Sequence, residues 1–82
     1  MTEDERVLLI YLAEKYYSDE KMELVTHKDV GMSLDDYNTA LCGLIRKGYL
    51  PNGEIVKNKN GKDIYFSGEE LSDYAKEIID RL

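Results

Sequence analysis

Two side chains in this sequence could act as a nucleophile or a proton carrier, and neither has a chemical partner close by in the chain. His27 is the only histidine and directly follows Thr26, so we expect it at the surface beside a helix cap. Cys42 is the only cysteine, and we expect it as a small, half-buried residue of a helix. A single cysteine excludes an internal disulfide and a multi-cysteine metal site.

The acidic residues do not supply a reactive site either. They are numerous but scattered, and none has the spacing of a calcium-binding loop. No glycine-rich stretch resembles a phosphate-binding loop. We therefore expect a protein that is not an enzyme and that uses no metal and no cofactor.

Five basic residues have the chemistry to contact a phosphate backbone. Arg46 and Lys47 end a predicted helix, and Lys57, Lys59 and Lys62 lie around a predicted hairpin tip. Lysines also keep an exposed hairpin soluble and prevent its edge from pairing. The pattern leaves both interpretations open.

The overall charge opposes binding to nucleic acid. Seventeen acids against eleven bases give a net charge of −6, whereas a domain that binds DNA phosphates is usually basic. The acids concentrate at the two ends, since residues 1–30 carry eight acids and four bases. Acidic ends are typical of solvated helix faces, and they would also suit a protein partner.

The predicted elements begin with a strongly marked helix. Thr2 and Glu5 have the spacing of a capping box, which predicts a helix from about Glu3 to Tyr17. This helix carries more apolar surface than one core-facing stripe requires. We therefore expect it to be wrapped on several sides or to meet a partner, with a homodimer through this helix as one form.

A helix-turn-helix is predicted next. Glu23–Val25 is expected to be extended, and Thr26–Val30 to form a helix of barely one turn. Ser33 should cap a third helix whose apolar residues follow 3.6-residue spacing, with Gly48 as its stop residue.

The second half of the chain predicts a hairpin and a last helix. Glu54–Lys57 and Lys62–Phe66 are predicted strands joined by an Asn60–Gly61 turn, which favours a type I′ hairpin. Ser67–Glu70 has the pattern of another capping box, so we expect a final helix from there to the end of the chain.

This order of elements resembles the winged helix-turn-helix superfamily. The run from Asp29 to Leu41, the closing Arg46–Leu50 and the segment Phe66–Leu71 are similar to winged-helix regulators of the MarR and PadR kind. Within that superfamily the chain looks most like the small YjcQ-like proteins of bacteria and their phages, although it meets their motif after the wing only loosely. The resemblance covers Thr26 to Ala75 and implies an α+β winged-helix fold with three N-terminal helices, a β-hairpin wing and a C-terminal helix. It implies no defined activity.

The surface of the third helix would decide whether such a module reads DNA. Asn38 suits base recognition and Thr39 could assist it, whereas Asp35 and Asp36 would repel phosphates. Those aspartates equally suit a helix cap. The remaining positions expected to face outward are Leu34 and Cys42.

Two functions follow from these features. The first is a DNA-binding transcriptional regulator of bacterial or phage origin, which contacts double-stranded DNA through Asn38, Thr39 and the five basic residues. The second is an acidic winged-helix module that binds a protein partner and no DNA.

The length of 82 residues predicts a single winged-helix domain over residues 1–82. The longest apolar run is Val7–Ala13, far short of the roughly 20 residues of a membrane span. The acidic start is unlike a signal peptide, so a cytoplasmic location is expected.

Overall fold

The capping box at the N-terminus forms and starts the longest helix of the chain. The computed structural model describes residues 1–58, 61–66 and 71–81, and in it helix α1 spans Glu3–Tyr17, as predicted. The Thr2 hydroxyl accepts a hydrogen bond from the Glu5 backbone N–H at 3.1 Å. The Glu5 carboxylate in turn accepts one from the Thr2 backbone N–H at 2.8 Å. Both bonds satisfy amides that the helix itself leaves without partners.

The segment between α1 and the next α-helix differs from the prediction. Met22–Leu24 is one turn of 3₁₀-helix, so the extended structure predicted over Glu23–Val25 is wrong at Glu23 and Leu24 and is confirmed only at Val25, whose backbone is extended. The helix predicted over Thr26–Val30 is also wrong, because these residues form hydrogen-bonded turns. A helix of one turn fixes many dihedral angles for very few hydrogen bonds and does not persist alone.

Local hydrogen bonds explain the shape of this turn segment. The Asp29 carboxylate accepts the Thr26 backbone N–H at 2.8 Å, and the Met32 N–H donates to the His27 carbonyl at 3.0 Å. Gly31 then has a φ of +69°, which redirects the chain before the next helix can start.

Helix α2 spans Leu34–Arg46 and has both predicted ends. The Ser33 hydroxyl accepts the Asp36 N–H at 3.1 Å. At the other end Gly48 has a φ of +81°, and the Tyr49 N–H donates to the Leu44 carbonyl at 3.0 Å. This left-handed residue closes the helix in the way that favours glycine, so the prediction for Gly48 is confirmed.

Two strands follow α2. Strand β1 (Gly53–Asn58) pairs antiparallel with strand β2 (Gly61–Phe66), with Ile55 opposite Ile64 and Lys57 opposite Lys62. Asn60, the first half of the predicted turn, lies outside the described residues.

Helix α3 spans Asp73–Ile79 and is shorter than predicted at both ends. Leu71 and Ser72 precede the helix, and the predicted cap at Ser67–Glu70 lies outside the described residues, as does Leu82. The Ser72 hydroxyl caps α3 by accepting the Ala75 N–H at 3.1 Å. The Ser72 N–H donates to the Tyr49 carbonyl at 3.1 Å, so it is held by the loop after α2 instead of by a helical bond.

The core lies mainly between α1 and α2 and makes the chain a small, compact, mostly helical unit with three α-helices in the described ranges. Its fully buried large side chains are Leu8, Leu9, Leu12, Met22, Leu44 and Leu50. Among the described helices, none has the length and apolar content needed to cross a membrane.

Candidate functional site

Helix α2 presents an acidic and apolar N-terminal end to solvent. Leu34 is 57% exposed, and Asp35 and Asp36 beside it are exposed as well. Both aspartates lie in the first turn, where the helix dipole favours negative charge. The helix dipole accounts for both acids, because the cap itself uses only the backbone N–H of Asp36. If α2 met DNA as predicted, the two carboxylates would lie where phosphates approach.

The two residues predicted to read bases differ in their exposure to solvent. Thr39 is exposed, whereas Asn38 is half-buried. Cys42 was expected to face outward and to be half-buried, and this is wrong, because it is 5% exposed. The surface of α2 that is free to touch a partner is therefore narrower than the sequence suggests.

The basic residues do not form one cluster that the structure describes. Arg46 is exposed in the last turn of α2. Lys57 and Lys62 are register partners in the strand pair, where only their backbone placement is described, and Lys59 lies outside the described residues.

Lys47 is already held by an acid of the same chain. Its Nζ lies 2.8 Å from Glu5 Oε1 and 3.0 Å from Glu5 Oε2, so the end of α2 is tied to the start of α1. The Glu5 residue is only 3% exposed, whereas the Lys47 side chain is 44% exposed. A phosphate could bind Lys47 strongly only by displacing this carboxylate.

The space for Glu5 comes from Gly43. A Cβ at position 43 would collide with the Glu5 carboxylate, so the glycine opens a notch in α2 that admits the acid. Glycine in a helix interior normally costs stability, which the contact made in this notch offsets. Sequence spacing did not predict this contact, because Glu5 and Lys47 are 42 positions apart.

Burial and hydrogen bonding act in opposite directions on Glu5. Burial alone would raise the pKa of this carboxyl group. The hydrogen bonds from Lys47 and Thr2 outweigh burial, so its pKa lies below the ordinary value and the group is ionised at neutral pH.

An open groove of about 450 Å³ runs between the start of α1 and the exposed side of α2. We call it the α1–α2 groove, and its lining includes three acids, Asp4, Glu5 and Asp36, together with Thr39, Arg46 and Lys47. Since Lys47 is neutralised by Glu5, the remaining charges of this lining are one base, Arg46, and two acids, Asp4 and Asp36. The groove therefore favours a cationic partner over an anionic one.

His27 also differs from its predicted environment. It is half-buried, and its Nδ1 lies 2.9 Å from the Met32 carbonyl oxygen. This contact stabilises the turn before α2, so the His27 ring is held by the backbone of Met32 and is not a free surface group. The described residues contain no group of three or more His, Cys, Asp or Glu side chains placed to hold a metal ion.

Comparisons with protein-family models, with curated proteins and with solved structures found no significant match.

Proposed function

We propose that this chain is a winged-helix interaction module that binds a basic protein segment and does not bind DNA. The binding surface is an acidic face that consists of Asp4 and Asp36 in the lining of the α1–α2 groove together with the neighbouring Asp35. The observation that carries this proposal is the ion pair between Glu5 and Lys47. It occupies the cation at the end of the helix that would meet DNA, and it leaves Asp4 and Asp36 against Arg46 as the other charges of the groove lining.

The order of elements supports the winged-helix part of the proposal. A long helix, a turn segment, a capped helix, an antiparallel strand pair and a last helix follow one another in that superfamily's order. The chain departs from it at Thr26–Val30, where turns replace the first helix of the helix-turn-helix. In this proposal β1 and β2 are the wing.

Electrostatics separate the two kinds of partner. Affinity for duplex DNA rises with the number of phosphates that basic side chains neutralise. On α2 only Arg46 remains for that purpose, and Asp35 and Asp36 at the other end of the helix repel phosphate. A basic peptide would meet those same acids favourably.

Leu34 offers an exposed apolar side chain at the start of α2. Its side chain is 57% exposed at the first position of α2, before Asp35 and Asp36 in the chain. Leu34 and Asp36 are two positions apart and so lie on different sides of α2, and Leu34 is outside the groove lining. We therefore define the partner by its basic side chains, with an apolar side chain against Leu34 as a secondary contact.

A matched pair of neutralised variants tests this proposal. The face variant carries Asp4→Asn and Asp36→Asn. The control variant carries Glu77→Gln on α3 and Asp80→Asn at the C-cap of α3, so both variants lose two negative charges. The probe is a fluorescein-labelled peptide of lysines spaced by leucines, and binding is followed by fluorescence anisotropy. We expect the face variant to weaken binding by about tenfold and the control by much less. Equal weakening by both variants would contradict the proposal.

DNA binding is the second candidate function, and the paired positions of Lys57 and Lys62 favour it. As a transcriptional regulator the protein would read bases with Asn38 and Thr39 and hold phosphates with Arg46, Lys47 and the wing lysines. The experiment is a titration of the chain against fluorescent random-sequence duplex DNA at two salt concentrations. Binding that weakens steeply with salt and disappears in the Lys59→Glu, Lys62→Glu variant would establish this function and overturn the first one.

A further inference from the structure

Helix α1 has a second apolar stripe on the side that faces away from the core. Its core side consists of Leu8, Leu9, Leu12 and Ala13, all buried. On the opposite side Val7 is 37% exposed and Tyr17 is 58% exposed, with Ile10 half-buried between them.

The outward residues have the spacing of a helix-pairing seam. Positions 3, 7, 10, 14 and 17 are separated by alternating steps of four and three, which keeps them on one side of a helix. They are Glu3, Val7, Ile10, Glu14 and Tyr17. Val7 and Ile10 make the middle of this seam apolar, so a second helix can pack there. Glu3 and Glu14 place one acid in each half, and these acids restrict the direction in which the second helix can align.

The charges of this seam favour one alignment of two copies. A parallel pair would set Glu14 against Glu14, which is repulsive, and would also bring together the two Glu3 side chains, each already bound to Arg6 of its own helix. In an antiparallel pair centred on Ile10, Val7 would cover the carbon stem of the other Glu14. Arg6 binds Glu3 of its own helix, with Nη2 2.6 Å from Oε1, and would bridge that Glu3 and the other Glu14. Glu3 then comes opposite the Tyr17 hydroxyl, which can donate a hydrogen bond to it.

We infer that the occupant of this surface is a second copy of this chain, packed antiparallel along α1 with its two-fold axis at Ile10. The inference is independent of what α2 binds, because the α1 stripe faces away from the core that joins the two helices. The 15 residues of α1 span roughly 22 Å, so the contact is small and the dimer forms reversibly.

Charge exchange at the seam provides the test. Arg6→Glu and Glu14→Arg each place like charges together in the homodimer, so each variant should raise the dissociation constant by about tenfold or more. A mixture of the two variants restores both attractive contacts, as does the variant that carries both changes. Sedimentation velocity of the full chain, at concentrations up to about 1 mM, measures the dimer in each case.

Two controls keep the outcome clear. Glu77→Arg on α3 makes the same charge change as Glu14→Arg on an exposed position away from the seam, and it should leave dimerisation unchanged. Circular dichroism of every variant checks that α1 still folds. A wild-type chain that stays monomeric throughout, or a dimer that neither Arg6→Glu nor Glu14→Arg weakens, would overturn the inference.

Discussion

The same local motif starts α1 and α2, and its acid has a different role in each. In α1 the Thr2 hydroxyl accepts the N–H of the acid three residues later, and in α2 the Ser33 hydroxyl does the same. Glu5 is buried, bound to Lys47 and set into the notch at Gly43, whereas Asp36 stays exposed. A cap is therefore a local feature, but its acid acquires a long-range role only where another helix supplies a cation and space.

Removal of the Glu5 carboxylate should have the largest effect on stability. Glu5→Ala deletes the buried acid, leaves the Thr2 N–H and Lys47 without their acceptor, and opens a small void beside Gly43. We expect a loss of about 2–3 kcal/mol in the free energy of unfolding, because the half-exposed Lys47 can regain water. Urea denaturation followed by circular dichroism measures it, and a loss no larger than that of Asp36→Ala would contradict it.

The pH dependence of stability checks the same contact without deleting it. The folded pKa of Glu5 is below the unfolded one, so its contribution is fully present above a pH of about 4.3. It disappears as the pH falls through the folded pKa. Glu5→Gln should therefore be less stable than the wild type at pH 7, and the difference should shrink in acid. A constant difference across this range would show that the charge of Glu5 plays no part.

Gly43→Ala should have a smaller effect whose sign is informative. Alanine normally stabilises a helix interior relative to glycine by about 1 kcal/mol. Here its Cβ collides with the Glu5 carboxylate, so we expect a net destabilisation of about 1–2 kcal/mol. In the Glu5→Ala background the same substitution should become stabilising. Thermal unfolding of the wild type, the two single variants and the double variant gives the coupling energy between Glu5 and Gly43.

Asp36→Asn should have the smallest effect of the series. The Asp36 side chain is exposed, and the cap uses only its backbone N–H, which asparagine retains. We expect a change within about 0.5 kcal/mol, arising from the lost interaction with the helix dipole. A larger loss of unfolding free energy in urea denaturation would mean that Asp36 contributes to stability much as Glu5 does, despite its exposure.

Prediction from the sequence succeeded where neighbouring residues decide the structure. The bounds of α1, the Ser33 cap of α2 and the left-handed Gly48 all depend on hydrogen bonds within a few positions. It failed at Thr26–Val30, where the capping pattern is present but the segment is too short to sustain a helix. It also failed at the start of α3, because the Ser72 N–H is held by the Tyr49 carbonyl.

Less of the candidate site than of the fold could be predicted from the sequence. Sequence spacing identified the acids of the first turn of α2 and the outward position of Thr39, both exposed in the structure. It misplaced Cys42, and it assigned Lys47 to phosphate because the partner of Lys47 is remote in the chain. The one available signal was Gly43, since a glycine within a helix often marks a close contact. It does not show which residue makes that contact.

The sequence by itself determined the local elements: where helices begin, which glycine ends α2, and that the chain carries a net charge of −6. These features follow from backbone hydrogen bonding and composition, which act over a few residues or over the whole chain at once. Only the tertiary structure decided that Glu5 is buried against Gly43 and holds Lys47. That outcome depends on the packing of α1 on α2, because a buried charge is tolerated only where folding brings a countercharge and hydrogen-bond donors to it.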